Sequence, residues 1–190
     1  MKNFLLSTCG IILITNFLFG QIKRIDTTLK IGNVGYRIIC SNKDTLTNEV
    51  DVRPIGFEHE AHESRMYVHG RIIRAEIDDL NGDGSPDLMI YTILGTRTWY
   101  GNAYAIVSIS NKSFAVVGLP DVQLDAKYRP GYRGHDEFSL LEGKLMRKFP
   151  IYKDDDKDVP TGGKRIIQYQ LTGSEDNGFK FKIQQSFETK

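Results

Sequence analysis

Short runs of apolar, β-prone residues recur along the chain, parted by Gly, Asn, Asp and Pro. They fall at 25–31, 35–41 and 45–52, on both sides of an acidic turn within 71–91, and at 103–110, 114–117, 136–142, 144–149, 165–171 and 178–183. Within 71–91, Ile73, Ala75 and Ile77, then Leu88 and Ile90, alternate with the period of a strand that buries one face. No segment keeps a helical period beyond about ten residues, and the Pro- and Gly-rich stretch 119–134 has room for one short helical turn. The pattern predicts an all-β fold, an antiparallel β-sandwich of roughly eight to ten strands with at most one short helix. The loop DLNGDGSPD has no second copy, which argues against a propeller built by repetition.

One apolar run has a different character. Lys2 precedes a nearly unbroken apolar stretch over 4–19, closed by the small Gly20. This is the shape of a signal peptide over 1–20, and the stretch is shorter than the roughly 20 residues of a membrane span. The expectation is export to the periplasm or beyond as a single domain over 21–190, with no membrane attachment after cleavage. Lys and Arg number 25 and Asp and Glu 24; Lys2 is the only charge in the leader, so the mature chain carries 24 of each. Formal neutrality gives no footing for nucleic acid or an anionic membrane surface. Cys9 lies in the leader, which leaves Cys40, in YRIIC, without an intrachain disulfide partner. It reads as a small core hydrophobe.

The acidic turn carries the clearest chemistry. Counting Asp79 as position one, Asn81 stands at three, Asp83 at five, Ser85 at seven and Asp87 at nine, with Gly82 and Gly84 to permit positive φ. Side-chain oxygens two residues apart, with the Ser85 carbonyl as a further ligand, suit a hard cation, and calcium tolerates such cages better than magnesium. An EF-hand is excluded, because its bidentate Glu would fall at Ile90 and the flanks have strand period. An Asx-rich turn without an ion is the other reading.

Elsewhere the signals are sparser. The stretch GTRTWYG, 95–101, breaks the β pattern and holds Arg97, Thr98, the only Trp at Trp99, Tyr100 and Gly101. Aromatics and Arg on a loop supply most of the energy at protein interfaces, while a lone Trp serves equally to cap a core. His59 and His62 in EHEAHE are three apart, not the four of a zinc helix, and read with their neighbours as a solvated loop. His69 and His135 look isolated. Asp154, Asp155, Asp156 and Asp158 are interleaved with Lys153 and Lys157, a solvated charge run. Asp136 and Glu137 adjoin His135, but neighbours on a strand point to opposite faces. There is no GxSxG elbow, phosphate-binding glycine loop, CxxC pair or His-rich set, so the chain reads as a protein without catalytic activity.

Taken together, AEIDDLNGDGSPDLMIY, the aromatic loop ending in YG, GYRGHDEFSLLEGKLMRKFPIY and PTGGKRIIQYQL resemble the PliI family, the periplasmic inhibitors of invertebrate-type lysozyme. The acidic loop also resembles those of integrin-like calcium repeats. The resemblance spans roughly residues 67–171. It implies an all-β sandwich that blocks a lysozyme by inserting a protruding loop into its glycan cleft. Aligned on YG, Tyr100 takes the place of the family's tyrosine, while Arg97 stands for its serine and Thr98 for its glycine. The implied partner is a lysozyme, with a homodimer left open; the alternative is a calcium-stabilised envelope module that binds a glycan or a surface protein.

Overall fold

A computed structural model describes residues 24–58, 63–96 and 98–190. The expected signal peptide, the His59/His62 pair and Arg97 lie outside the described residues. The described residues form three four-stranded antiparallel sheets, each a meander of consecutive strands. The first holds β1 (Ile25–Ile31), β2 (Val34–Cys40), β3 (Thr47–Ile55) and β4 (Ser64–His69); the middle holds β5 (Arg71–Asp78), β6 (Asp87–Leu94), β7 (Tyr100–Ile109) and β8 (Ser113–Gly118). The third holds β9 (Glu137–Leu141), β10 (Lys144–Pro150), β11 (Lys164–Ser174) and β12 (Gly178–Thr189), after a 3₁₀ turn at Val122–Leu124. The all-β, sandwich-like expectation therefore stands, built in three layers, with twelve strands among the described residues where roughly eight to ten were expected.

The layering follows from which side chains face where. Leu88, Ile90, Tyr104 and Ile106 of the middle sheet pack with Tyr36, Ile38, Val50, Val52 and Val68 of the first. Their strand neighbours Met89, Tyr91, Ala103, Ala105 and Val107 pack with Leu145, Phe149, Ile167, Tyr169 and Leu171 of the third. Successive strand residues point to opposite faces, so a sheet with a core on each side is buried residue after residue. Asp87 through Thr92 are all buried in β6. The outer sheets alternate instead, and their solvent faces carry ion pairs such as Arg37–Asp26 at 2.9 Å and Lys148–Glu137 at 2.6 Å.

Three details differ from the sequence reading. Ile73 is 55% exposed, because the β5–β6 register shifts between Ile72 and Arg74 and turns Ile72 inward in its place. Strand β4, unmarked in the sequence, buries only Met66 and Val68 between polar neighbours. Strand β12 runs past Ile183 to Thr189 by pairing with β11 across a bulge at Gln168/Tyr169. Cys40 is buried in the core between the first and middle sheets, where burial raises its thiol pKa.

Candidate functional site

Strand β6 separates two loops of interest. The acidic turn precedes it and the connection Gly95–Trp99 follows it, so eight residues hold them roughly 26 Å apart.

At the second end, Thr96 and Thr98 are exposed, and Trp99 and Tyr100 are half-buried. Neither aromatic stands free. The Trp99 ring meets His135 edge-on with centroids 4.4 Å apart, and the Trp99 carbonyl accepts the His135 N–H at 2.7 Å. Tyr100 meets Tyr132 edge-on at 5.9 Å. His135 holds φ +62° there, and Gly134 is so close beneath that a Cβ would strike the Trp99 carbonyl.

Behind them lies a buried network that sequence reasoning missed. The Gly101 N–H donates to Asp136 Oδ2 at 2.7 Å, and the Tyr132 hydroxyl donates to the same oxygen at 2.6 Å. Arg147 Nε donates to Asp136 Oδ1 at 2.7 Å, and its Nη2 reaches the Tyr132 hydroxyl at 2.8 Å and the Gly101 carbonyl at 3.2 Å. A Cβ on Gly101 would come within 2.6 Å of Asp136 Cβ and 2.7 Å of the Phe138 ring, so only glycine lets the strand approach. Burial works against the charge of Arg147, but the Asp136 carboxylate overrides it and raises the guanidinium pKa. Burial raises the Tyr132 hydroxyl as well. The signal was present in the sequence: Arg147 shares the phase of Leu145 and Phe149, the core face of β10.

In front of Arg147 is a cleft of about 150 Å³, lined also by His69, Tyr100, Asn102, Asp121, Gln123 and Tyr132. His69 is thereby brought beside the site, its N–H donating to the Tyr104 hydroxyl at 2.9 Å. Asp136 is buried and Glu137 exposed, the opposite facing expected of strand neighbours.

The acidic turn at the other end has every carboxylate engaged. Asp79 Oδ1 accepts from Gly82 and Asp83, and its Oδ2 accepts from Gly84 at 2.9 Å. Asn81 Oδ1 accepts from Asp83, and Asp83 Oδ1 accepts from Ser85 at 2.7 Å. Asp87, fully buried, accepts from Leu80 and Ser108. Burial, opposed by those two N–H groups and reinforced by the charges of Asp83 and Asp79, leaves its carboxyl pushed up to about 7. Gly82 and Gly84 have the positive φ foreseen, +77° and +83°.

The donor set is all oxygen and suits calcium, and a carboxylate that accepts N–H bonds keeps other lone pairs for an ion. Among the described residues, however, no three acidic, His or Cys side chains stand together as a metal cluster. The turn touches all three sheets. Tyr36 donates to the Pro86 carbonyl at 3.0 Å, Ser108 to Asp87, and Gln170 to the Leu80 carbonyl at 3.4 Å.

In the other acidic run Asp156 accepts from the Lys153 and Thr161 N–H groups and from the Thr161 hydroxyl, and Arg133 donates to the Asp156 carbonyl at 2.7 Å. Compared with known proteins, the chain matches no family model, no curated protein and no solved structure.

Proposed function

We propose that this is an exported binding protein, without catalysis of its own, that inhibits a lysozyme by presenting the β6–β7 connection to the enzyme's glycan cleft. One observation carries the reading. The connection is fastened where its aromatic pair enters β7, the Trp99 carbonyl accepting from His135 and the Gly101 N–H donating to Asp136. A fixed loop loses less entropy on entering a cleft than a mobile one. Thr96 and Thr98 form its exposed crest, Trp99 and Tyr100 offer their outward edges, and the Tyr100 hydroxyl and Arg97 are the groups suited to the acidic residues that glycoside hydrolysis requires. The resemblance to lysozyme inhibitors supports the same surface.

The test is inhibition of invertebrate-, chicken- and goose-type lysozymes in a cell-lysis assay. At least one should be inhibited, and Tyr100→Ala should weaken inhibition by roughly thirtyfold, the equivalent of about 2 kcal/mol for a truncated interface aromatic. Failure to inhibit any of the three would sink the proposal.

A second reading rests on the cleft before Arg147. Its aromatic rings beside Asn102, Asp121 and Gln123 suit a neutral sugar, which would make the protein an envelope glycan-binding module. Binding of soluble peptidoglycan fragments without lysozyme inhibition would favour it.

In either reading the acidic turn holds a structural calcium ion through Asp79, Asn81, Asp83 and Asp87 with the Ser85 carbonyl. The ion would relieve the mutual repulsion of these carboxylates where the three sheets meet.

A further inference from the structure

Two hollows adjoin the β6–β7 connection. The smaller, about 90 Å³, is lined by Thr45, Arg71, Ile93, Gly95 and Thr96; the larger is the cleft that Tyr100 and Gln123 share. A leucine stands next in the chain at each. Leu46 follows Thr45 and is 66% exposed, and Leu124 follows Gln123 and at 86% is the most exposed large apolar side chain among the described residues.

Neither leucine sits on loose backbone. The Leu46 N–H donates to Asp44 Oδ1 at 2.7 Å, and its carbonyl accepts the Gly70 N–H at 2.7 Å. Leu124 closes the 3₁₀ turn, its N–H donating to the Asp121 carbonyl at 3.2 Å, and Asp121 Oδ1 caps that turn by accepting from the Gln123 N–H at 2.8 Å. Val122, 2% exposed, roots the same turn in the core between the middle and third sheets. The fold holds both leucines at the surface and makes little use of their side chains.

A single exposed leucine carries no message, but two beside one loop belong to one surface. Thr96 of the smaller hollow and Tyr100 of the larger are at most roughly 14 Å apart along the chain. A standard protein interface covers about 800 Å² of each partner, a patch roughly 30 Å across, so a protein seated on the connection covers both leucines. An aliphatic side chain has neither a flat ring to stack on a sugar nor a polar group to bond its hydroxyls, so the occupant that gains from these contacts is apolar protein surface. Backbone already fixed also loses little entropy when the partner arrives.

We propose that Leu46 and Leu124 are apolar contacts for the rim of the protein whose cleft receives the β6–β7 connection. This rests on the inhibitor reading above, and it extends the recognition surface to the first sheet and to the 3₁₀ turn.

The test is the affinity of the mature chain for any lysozyme that the parent inhibits, with Leu141→Asp as control. Leu141 is 63% exposed but lies toward the other end of the molecule, where Gly143 of its turn packs against the Asp79 carbonyl of the acidic turn. Leu46→Asp and Leu124→Asp should each weaken binding about tenfold or more, and the double variant more than either, with thermal midpoints near the parent's. Leu141→Asp should bind as the parent does. If Tyr100→Ala weakens binding and neither leucine variant does, the leucine contacts are overturned and the inhibitor reading stands; weakening by only one overturns the contact at the other. Equal weakening by Leu141→Asp overturns both contacts, since the effect would then have no place on the surface. If the parent inhibits no lysozyme, the inhibitor reading and these contacts fall together. Peptidoglycan fragments bound by the parent and lost in the leucine variants would make the occupant a glycan and overturn the protein partner.

Discussion

Arg147 and Asp136 are a charged pair in a core, 2% and 6% exposed, held 2.7 Å apart. Taking two charges out of water is costly, and their attraction offsets it only when the remaining donors and acceptors are matched. Here Tyr132 and both backbone groups of Gly101 supply the match. Asp136→Asn or Arg147→Met should each destabilise by about 3–5 kcal/mol in denaturant unfolding, because each leaves one charge buried alone. The double change to Asn and Met should cost less than the sum of the two. A strictly additive result would show that the pair is not coupled.

Asp44 and Asp156 behave differently. Backbone N–H groups, of Leu46 for the first and Lys153 for the second, hold each carboxyl below its ordinary 3.8. The unfolded chain binds protons more readily than the folded one at these sites, so their stabilisation is complete above about pH 4 and is lost as pH falls through the lower folded values. Asp156→Ala should lower the thermal midpoint at pH 7, and by less as the pH is brought down below 3.8. NMR titration of the parent should place both midpoints under 3.8.

At the level of elements, the acidic turn and the strands beside it were legible because Asx, Gly and alternating apolar residues impose local geometry that needs no knowledge of distant contacts. What lay beyond reach was set by packing. Ile73 and Ile72 are equally apolar, and only the register shift decides which turns inward. Met89 and Tyr91 fell outside the expected one-sided alternation, since a second core on the far face cannot be inferred from either strand alone. The partnership of Gly101 with Asp136 spans 35 positions and left no local trace. The calcium proposal belongs to this scale: the turn is tied to Tyr36, Ser108 and Gln170, so an ion there stabilises all three sheets by linkage. Calcium should raise the thermal midpoint and chelator should lower it, with Asp79→Asn abolishing the difference. No difference in the parent, together with no calcium in the purified protein, would end the proposal.

Over the whole molecule, the three sheets share two cores, and both depend on the middle sheet. Because each sheet is a contiguous meander, the layers are also laid down in the order in which the chain is made. Synthesis through Gly118 completes two layers and one core, while the face of Met89, Tyr91, Ala103, Ala105 and Val107 waits for residues not yet present. N-terminal segments fold first during synthesis, and exposed apolar faces at that stage invite aggregation. A fragment ending at Gly118 should therefore be β-rich by circular dichroism and bind a hydrophobic dye, and the complementary fragment from Leu119 should be unfolded alone. Mixing the two should extinguish the dye signal. The middle sheet would then act as a template on which the last third of the protein is moulded, giving the folding pathway a direction.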